Sequence, residues 1–247
     1  MTIGIIDIGT NSVLLLIAQI NADRSVTTLH DECRIVRLGE GLQGNPLLTR
    51  GFEVGNLCPK AQGKQREGGS FKPAAMERTM VALRDFVSTC SKLDCDSIQA
   101  VGTAGFRMSQ NAEAFVRRVA DELGIKISVI DGKEEARLIY LSCEHDFGHL
   151  GNIAVLDIGG GSTEIVAQNG RDVETTSFPF GVVTLTEKFL HSDPPTQSEI
   201  KELTRFVGAQ LTFRCSVSER RHVGTSARRH VGTSTRRHMS LIATAGT

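Results

Sequence analysis

Two short segments of the chain place a carboxylate immediately before a turn of small residues. The first reads DIGTNS at residues 7–12, and the second reads DIGGGS at residues 157–162. Small residues let backbone N–H groups approach an anion closely, and the aspartate can hold a metal ion or a water molecule. Glycine also serves simply to close hairpins, so a single turn of this kind indicates little. Two matched turns favour a phosphate-binding site.

The two turns belong to a longer internal repeat. Residues 5–12 align with residues 155–162 at a constant offset of 150, and apolar runs typical of strands flank each turn. A second pair of similar segments, VGTAG at residues 101–105 and IATAG at residues 242–246, follows in the same order. The repeat therefore predicts two like halves. Their turns would face each other across a cleft and hold a phosphate chain from both sides.

Strands and helices alternate along the rest of the chain. Apolar runs predict strands at residues 3–8, 13–20, 26–36, 98–101, 125–130, 153–158 and 164–168. Helical spacing of apolar residues predicts helices at residues 73–93, 112–123 and 133–143, and over most of residues 189–211. This alternation predicts an α/β protein.

Charge and cysteine content exclude several classes of protein. The 28 basic and 28 acidic residues cancel, but residues 214–247 contain seven arginines and one glutamate, so the rest of the chain carries a net charge of −6. The chain has neither an apolar run of about 18 residues, as a membrane span needs, nor a basic start typical of a secretory signal. Its six cysteines lack a Cys-x-x-Cys spacing. We therefore expect a soluble, cytoplasmic protein without a membrane partner.

Six segments of the chain together resemble the Ppx/GppA phosphatases, which are exopolyphosphatases and guanosine pentaphosphate phosphohydrolases. In family order they read DIGTNS (7–12), VRLGEG (36–41), GTAGFR (102–107), GKEEARL (132–138), DIGGGSTE (157–164) and FGVVTLT (180–186). The resemblance implies an α/β, actin/Hsp70/sugar-kinase-like (ribonuclease H-like) duplicated fold with two lobes and a central cleft. We expect a first lobe at residues 1–131 and a second lobe at residues 132–247.

The resemblance also implies a Mg²⁺-dependent hydrolase that releases terminal phosphate from inorganic polyphosphate or pppGpp by attack of water. By motif, Glu135 is the expected catalytic base, and Glu164 is a second catalytic carboxylate. The expected metal ligands are Asp157, Glu164 and Asp7. The expected substrate-binding residues are Thr10, Asn11, Ser12, Arg37, Thr103, Arg107, Gly160, Gly161, Ser162 and Thr163.

Several of these residues also have a purely structural interpretation. Acidic residues are common in the first turn of a helix, where they favour the helix dipole. Glu134 and Glu135 could therefore form an exposed helix start that pairs with Arg137 through solvent. On the same interpretation, Arg107 is a solvated helix residue and Arg37 is a charge at the edge of a strand.

Two segments and the end of the chain depart from the family pattern. Residues 44–66 interrupt the family pattern shortly after the VRLGEG segment, and we interpret them as an insertion. Three Arg-Arg-His units at residues 220–238 could contact polyphosphate or, weakly, RNA, but no aromatic residues lie between them. Nucleic acid is therefore not the expected partner. Because the chain stops just after the second TAG segment, we expect a second lobe that lacks its last elements.

Three functions are compatible with these residues. The first is the phosphoanhydride hydrolase described above. The second is a catalytically impaired remnant of the same family that binds polyphosphate or nucleotide without turnover. The third is an ATP-using sugar kinase of the same fold, which the GKEEARL segment disfavours. The preference between polyphosphate and pppGpp is left open, as is the formation of a homodimer.

Overall fold

The computed structural model describes residues 1–42, 69–169, 172–221 and 240–245. The predicted insertion at residues 44–66 lies outside these described residues, as does all of the arginine repeat beyond Arg221. The first part of the chain forms three strands, β1 (Thr2–Ile8), β2 (Ser12–Ile20) and β3 (Val26–Ile35). It continues with α1 (Pro73–Lys92), β4 (Ser97–Gly102), α2 (Ala104–Met108), α3 (Ala112–Leu123) and β5 (Ile127–Val129).

The second part of the chain repeats this order of strands. It begins with α4 (Gly132–Phe147) and a short 3₁₀ turn at Gly148–Leu150. The strands β6 (Ile153–Ile158), β7 (Thr163–Asn169) and β8 (Asp172–Phe178) follow, and then the helices α5 (Val182–Phe189) and α6 (Gln197–Arg221) and the strand β9 (Ser240–Ala245). In the part of the chain that the structure describes, no helix is both long and apolar enough to cross a membrane.

The two sheets share one topology. The first has the strand order β3-β2-β1-β4-β5, and the second has the order β8-β7-β6-β9. In each sheet the three strands that come first in sequence, β1–β3 or β6–β8, form an antiparallel meander. The next strand, β4 or β9, then pairs in parallel with β1 or β6. Asp7 pairs with Leu14 across the first hairpin, and Asp157 pairs with Glu164 across the second. This duplication confirms the two like halves predicted from the sequence, while the boundary at residue 131 stays a prediction.

The second pair of repeated segments is displaced from its sequence alignment. Alignment of VGTAG with IATAG makes Thr244 equivalent to Thr103. In the sheets, however, Thr244 pairs with Asp157, the position that Val101 takes beside Asp7. The equivalence predicted from the sequence is therefore wrong by two residues. Side chains alternate between the faces of a strand with a period of two, so a shift of two residues leaves the apolar pattern unchanged.

Each sheet packs against its own helices. The larger core lies between the first sheet and the helices α1 and α3, and it includes Ile6, Leu15, Met80, Leu83 and Phe86. The smaller core lies beneath α4 and contains Ala136, Tyr140, Cys143, Ile153, Val155 and Val166. The apolar faces of α1 and α4 thus lie against the two cores. Helix α3 ends at Gly124, whose φ of 69° is the left-handed conformation that glycine favours.

The patterns in the sequence do not predict β8, α2 or α5. The prediction that most of residues 189–211 are helical is confirmed, since Phe189 ends α5 and, after a break, α6 begins at Gln197. Pro194 and Pro195 lie in the break, and proline cannot donate the backbone hydrogen bond of a helix interior. Helix α6 then begins with a reciprocal cap, in which Thr196 N donates to Glu199 Oε2 at 2.7 Å and Glu199 N donates to Thr196 Oγ1 at 3.3 Å.

A cluster of aromatic rings holds α2 against the first core. Phe106 is 1% exposed, and its ring centroid lies 5.3 Å from that of Phe71. Phe115 packs against both rings. Since α2 has only five residues, its position depends on this packing more than on its own hydrogen bonds.

We expect Phe106→Ala to lower the free energy of unfolding by about 3–5 kcal/mol, because loss of a buried ring leaves a cavity. Leu93→Ala is the control, since Leu93 is 38% exposed and belongs to neither core, so its loss should change this free energy by about 1 kcal/mol or less. Urea denaturation followed by circular dichroism measures both effects. Equal losses in the two variants would contradict a stabilising role for the aromatic cluster.

Candidate active site

The two Asp-containing turns have the same internal hydrogen bond. Gly9 N donates to Ser12 O at 2.9 Å, and Gly159 N donates to Ser162 O at 3.0 Å. Each turn joins the two strands of an antiparallel hairpin and follows the end of the strand that carries the aspartate. The two turns are therefore equivalent in their internal hydrogen bonding as well as in their position in the sheet, as the sequence repeat predicts.

The turns face each other at van der Waals distance. A Cβ atom built on Gly160 would lie 3.2 Å from Asn11 N, and one built on Gly161 would lie 2.6 Å from Thr10 Oγ1. Contacts this short exclude a larger residue at Gly161 unless Thr10 moves. Glycine is needed at these positions because two stretches of backbone approach each other, which goes beyond the closing of a hairpin.

A cavity of about 70 Å³ lies between the turns. It is lined by Asp7, Gly9, Thr10, Asn11, Ser12, Leu14, Thr103, Ala104, Glu135, Asp157, Gly159, Gly160, Gly161 and Ser162. We call this space the turn cavity. It is large enough for several water molecules or a small anion, since about 10–15 Å³ suffices for one water. The structure thus brings together most of the residues that the sequence predicted for the site.

Helix α4 places Glu135 at the turn cavity. The helix is capped by Asp131, whose carboxylate accepts hydrogen bonds from Lys133 N at 3.0 Å and Glu134 N at 2.8 Å. Glu135 therefore lies in the first turn, and Arg107 Nη1 donates to its Oε2 atom at 2.8 Å. The Glu135 side chain is only 14% exposed. The structural interpretation of an exposed helix start does not describe Glu135.

Glu134, the neighbour of Glu135, does fit that interpretation. Its carboxylate pairs with the Arg137 guanidinium through two hydrogen bonds of 2.7 and 2.8 Å, and both side chains are exposed to solvent. Arg107, by contrast, is half-buried and also donates to the backbone oxygen of Ile130 at 2.9 Å. The two adjacent glutamates therefore have opposite environments.

The other carboxylates are buried with few partners. Glu164 is fully buried, and its Oε1 atom accepts a hydrogen bond from Ser177 Oγ at 2.8 Å. Its Oε2 atom has no hydrogen-bond partner among the described residues, and the same holds for Asp7 Oδ1 and Thr10 Oγ1. Asp157 Oδ1 accepts a hydrogen bond from Thr244 Oγ1. Unpartnered buried oxygens are unusual in folded proteins and indicate that something else binds there.

Burial raises the pKa of all four carboxyl groups, and repulsion by neighbouring carboxylates adds to it in Asp7, Glu135 and Glu164. Burial, followed by the negative charge of Glu135, raises the pKa of Glu164 to about 7. Burial, with Glu135 and Asp157 adding to it, raises the pKa of Asp7 to about 6. Burial also raises the pKa of Glu135 against the opposing effect of Arg107, and that of Asp157 against the opposing hydrogen bond from Thr244. A cation would relieve this repulsion.

The donor atoms present fit Mg²⁺. Among the described residues, no group of three or more His, Cys, Asp or Glu side chains lies close enough together to hold a metal ion. Mg²⁺ does not require such a cage, because it binds carboxylate oxygens, keeps several waters and is commonly held by one or two carboxylates together with substrate phosphates. The unpartnered oxygens of Asp7 and Glu164 and the carboxylate of Asp157 are donors of this kind.

Four of the predicted site residues do not line the turn cavity: Arg37, Arg107, Thr163 and Glu164. Arg37 is exposed and lines a neighbouring cavity of about 480 Å³, together with Asn11, Glu40, Val182, Val183, Thr186 and Glu187. We call this space the outer cavity, and Asn11 lines both spaces. The hydroxyl of Thr163 donates to the backbone oxygen of Phe180 at 2.7 Å, which stabilises the chain before α5.

Sequence reasoning missed Ser177, Asp131 and Glu187. Asp131 and Glu134 have the Asp-x-x-Glu spacing of a capped helix start, which is a signal available from the sequence. Ser177 has no such signal, because its partner Glu164 lies on a different strand. Glu187 on α5 accepts a hydrogen bond from Gly41 N at 3.0 Å, which joins the segment after the first sheet to the second half of the chain.

The two sheets, the paired turns and the site between them define the actin/Hsp70/sugar-kinase type of α/β fold. Among solved structures, an exopolyphosphatase from Cytophaga hutchinsonii superimposes with a TM-score of 0.71 at 26% identity, over 89% of this chain and 64% of that one. The Aquifex aeolicus PPX-GPPA enzyme gives a TM-score of 0.60 at 32% identity, over 86% and 63% of the two chains. These similarities confirm the predicted fold.

Residues 16–245 match the model of the Ppx/GppA phosphatase family, and the chain belongs to that family. It is 36% identical over 215 residues to exopolyphosphatase 2 of Mycobacterium tuberculosis, covering 83% of this chain and 60% of the relative. It is 33% identical over 193 residues to a guanosine-5'-triphosphate,3'-diphosphate pyrophosphatase of Aliivibrio fischeri, covering 78% and 34% of the two chains. The chain thus spans about 60% of the length of the Mycobacterium relative.

We expect the free energy of unfolding in metal-free buffer to fall as the pH rises from about 5 to 8. The folded chain holds protons on Asp7 and Glu164 that the unfolded chain has already released, so the stabilising contribution is complete below the unfolded pKa values and is lost as the pH passes about 6 and 7. For Glu164 alone the change is on the order of 3 kcal/mol. Urea denaturation at several pH values with a chelator measures it.

Glu164→Gln provides the control for this pH dependence. The variant removes the titrating group, so its stability should fall less steeply between pH 5 and 8. Carboxyl groups with lowered pKa values, such as Glu199 at about 2, titrate below this window and do not interfere. A wild-type stability that increases over the window, or an identical slope in Glu164→Gln, would contradict the assignment.

Proposed function

We propose that this chain is a phosphoanhydride hydrolase that releases terminal phosphate from inorganic polyphosphate or pppGpp by Mg²⁺-assisted attack of water. The observation that carries the proposal is the convergence of both turns, Glu135 and Asp157 on one small cavity. The names of the relatives support the substrate class, since one is an exopolyphosphatase and another a guanosine-5'-triphosphate,3'-diphosphate pyrophosphatase.

The turns supply hydrogen-bond donors for the terminal phosphate. Catalysis of phosphoryl transfer consists mainly of positioning and of stabilising charge on the phosphate oxygens. The glycines of the second turn leave backbone amides unobstructed, and the buried hydroxyl of Thr10 has no partner among the described residues. Ser12, Thr103 and Ser162 add further hydroxyls around the same cavity. Their role is to hold the phosphate in line with the attacking water.

Glu135 is the proposed base. Its carboxylate lines the turn cavity, and its hydrogen bond with Arg107 fixes its orientation. Its raised pKa brings it nearer to the protonation balance that a base requires at neutral pH. In the reaction, water oxygen bonds to the terminal phosphorus, the bond between phosphorus and the bridging oxygen breaks, and Glu135 accepts a proton from the water.

We propose that one or two of the carboxylates of Asp7, Asp157 and Glu164 hold Mg²⁺ together with the phosphates of the substrate. When bound, the ion neutralises charge on the phosphate oxygens and on the leaving group. The unpartnered oxygens of Asp7 and Glu164 and the raised pKa values of all three carboxyl groups support this assignment.

The outer cavity is the proposed place for the rest of the substrate. It adjoins the turn cavity at Asn11, and Arg37 supplies a cation there for phosphates beyond the terminal one. Thr186 contributes a hydroxyl. The same cavity contains the carboxylates of Glu40 and Glu187, so its charge is mixed rather than uniformly basic.

The alternative function is binding of polyphosphate or nucleotide without turnover. The comparison of substrate binding with phosphate release in the same preparation separates the two functions. Binding with no release in the wild type would support the alternative and contradict the hydrolase.

We expect Glu135→Gln to lower the rate of phosphate release from polyphosphate by about 10²–10⁴-fold, because the amide cannot accept the proton of the attacking water. Glu134→Gln is a matched control, since it makes the same chemical change one residue away on a side chain that faces solvent. Its rate should equal that of the wild type. Phosphate release with Mg²⁺, followed with polyphosphate and with pppGpp, measures both variants and shows which substrate is preferred.

An unchanged rate in Glu135→Gln would remove this residue from the mechanism. Equal losses in Glu134→Gln and Glu135→Gln would indicate that the start of α4 matters only for folding. A melting temperature recorded for each variant separates loss of the base from loss of structure.

A further inference from the structure

The carboxylates of the proposed site belong to a row of side chains that crosses the second sheet. Ser177 on β8 pairs with Glu164 on β7, Glu164 pairs with Asp157 on β6, and Asp157 pairs with Thr244 on β9. Residues that lie directly opposite each other on neighbouring strands present their side chains on the same face of a sheet. We call these four residues the polar row.

A hydroxyl holds one oxygen of each carboxylate in the polar row. Ser177 Oγ donates to Glu164 Oε1 at 2.8 Å, and Thr244 Oγ1 donates to Asp157 Oδ1. The two donors come from the outer strands and the two carboxylates from the inner strands. A hydrogen bond to one oxygen fixes the rotation of a carboxylate, and with it the direction of the other oxygen. In Glu164 that other oxygen is buried and has no partner among the described residues.

The first sheet shows that the fold does not require these hydroxyls. Its equivalent row consists of Cys33 on β3, Leu14 on β2, Asp7 on β1 and Val101 on β4. It contains one carboxylate, and a thiol and an isopropyl group stand where the second sheet has hydroxyls. The same strand topology accommodates both rows. The fold therefore does not require the hydroxyls of the polar row, and we attribute them to the two carboxylates that they contact.

Ser177 also contacts the helix that carries Glu135. A Cβ atom built on Gly132, the first residue of α4, would lie 2.8 Å from Ser177 Oγ and 3.0 Å from Ser177 Cβ. The small residue on each side lets β8 approach the start of α4 closely. Ser177 therefore lies where the strand that supports Glu164 meets the helix that positions Glu135.

We propose that Ser177 and Thr244 are positioning residues for the reaction. Each hydroxyl holds one carboxylate oxygen and so fixes the orientation in which the remaining oxygen of Glu164 or Asp157 would bind Mg²⁺. Neither hydroxyl touches the substrate. This inference rests on the proposed function, because it assigns a purpose to the orientation of two carboxylates in that site.

Steady-state kinetics with polyphosphate and Mg²⁺ test the proposal. Ser177→Ala and Thr244→Val should each lower kcat by about 10- to 100-fold, the usual cost of removing a group that orients a metal-binding side chain, with little change in KM. Thr244→Ser keeps the hydroxyl and should restore most of the rate. The matched control Cys33→Ala alters the position of the first sheet that is equivalent to Ser177, where the neighbour is Leu14 rather than a carboxylate, and should leave kcat unchanged. An unchanged kcat in Ser177→Ala and Thr244→Val would overturn the proposal, and so would an equal loss in Cys33→Ala.

A melting-temperature cycle gives a second readout that needs no turnover. Glu164→Leu introduces the residue that the first sheet has at this position, Leu14. If Ser177 acts through Glu164, Ser177→Ala will shift the melting temperature in the wild-type chain and leave it unchanged in the Glu164→Leu chain. An equal shift in both backgrounds would overturn the proposal. A wild type without phosphate release, combined with a coupled cycle, would contradict the proposed function and leave the contact between Ser177 and Glu164 established.

Discussion

The close approach of the two turns is the contact on which the rest of the site depends. Gly160 and Gly161 let the backbone of one turn lie against Thr10 and Asn11 of the other, because they lack the Cβ atoms that would meet those residues. Each sheet and its core hold one turn in place. A Cβ atom added at either glycine would have an atom of the opposite turn within 2.6–3.1 Å, so any larger residue there would push the turns apart.

That contact gathers more negative charge than the chain itself neutralises. Around the turn cavity the carboxyl groups of Asp7, Glu135, Asp157 and Glu164 are buried together, and the ion pair that the described residues show among them is the one between Arg107 and Glu135. The site is consequently more stable with protons or a cation than without them. A cation bound beside these carboxylates would lower the repulsion between them.

The sequence was sufficient to predict the repeat, most strands and most residues of the turn cavity, because alternation of apolar residues and small turn residues are local signals. It could not separate Glu134 from Glu135 by residue type, since both lie in the first turn of α4 and only packing against Arg107 distinguishes them. The register of β9 and the contact between Ser177 and Glu164 depend on pairing between distant strands, which local patterns do not encode. The expected roles of the site residues came from the resemblance to a family, because composition and spacing do not assign a role to a particular residue.

Strand β9 has a consequence for the order in which the chain acquires its site. Ile153 on β6 pairs with Ser240 on β9, so the second sheet joins segments that are far apart along the chain. Contacts of this kind form late, because the loop between them must be closed before the pairing stabilises it. Asp157 therefore acquires its hydroxyl neighbour Thr244 after the hairpin of β6 and β7 that carries the aspartate has formed.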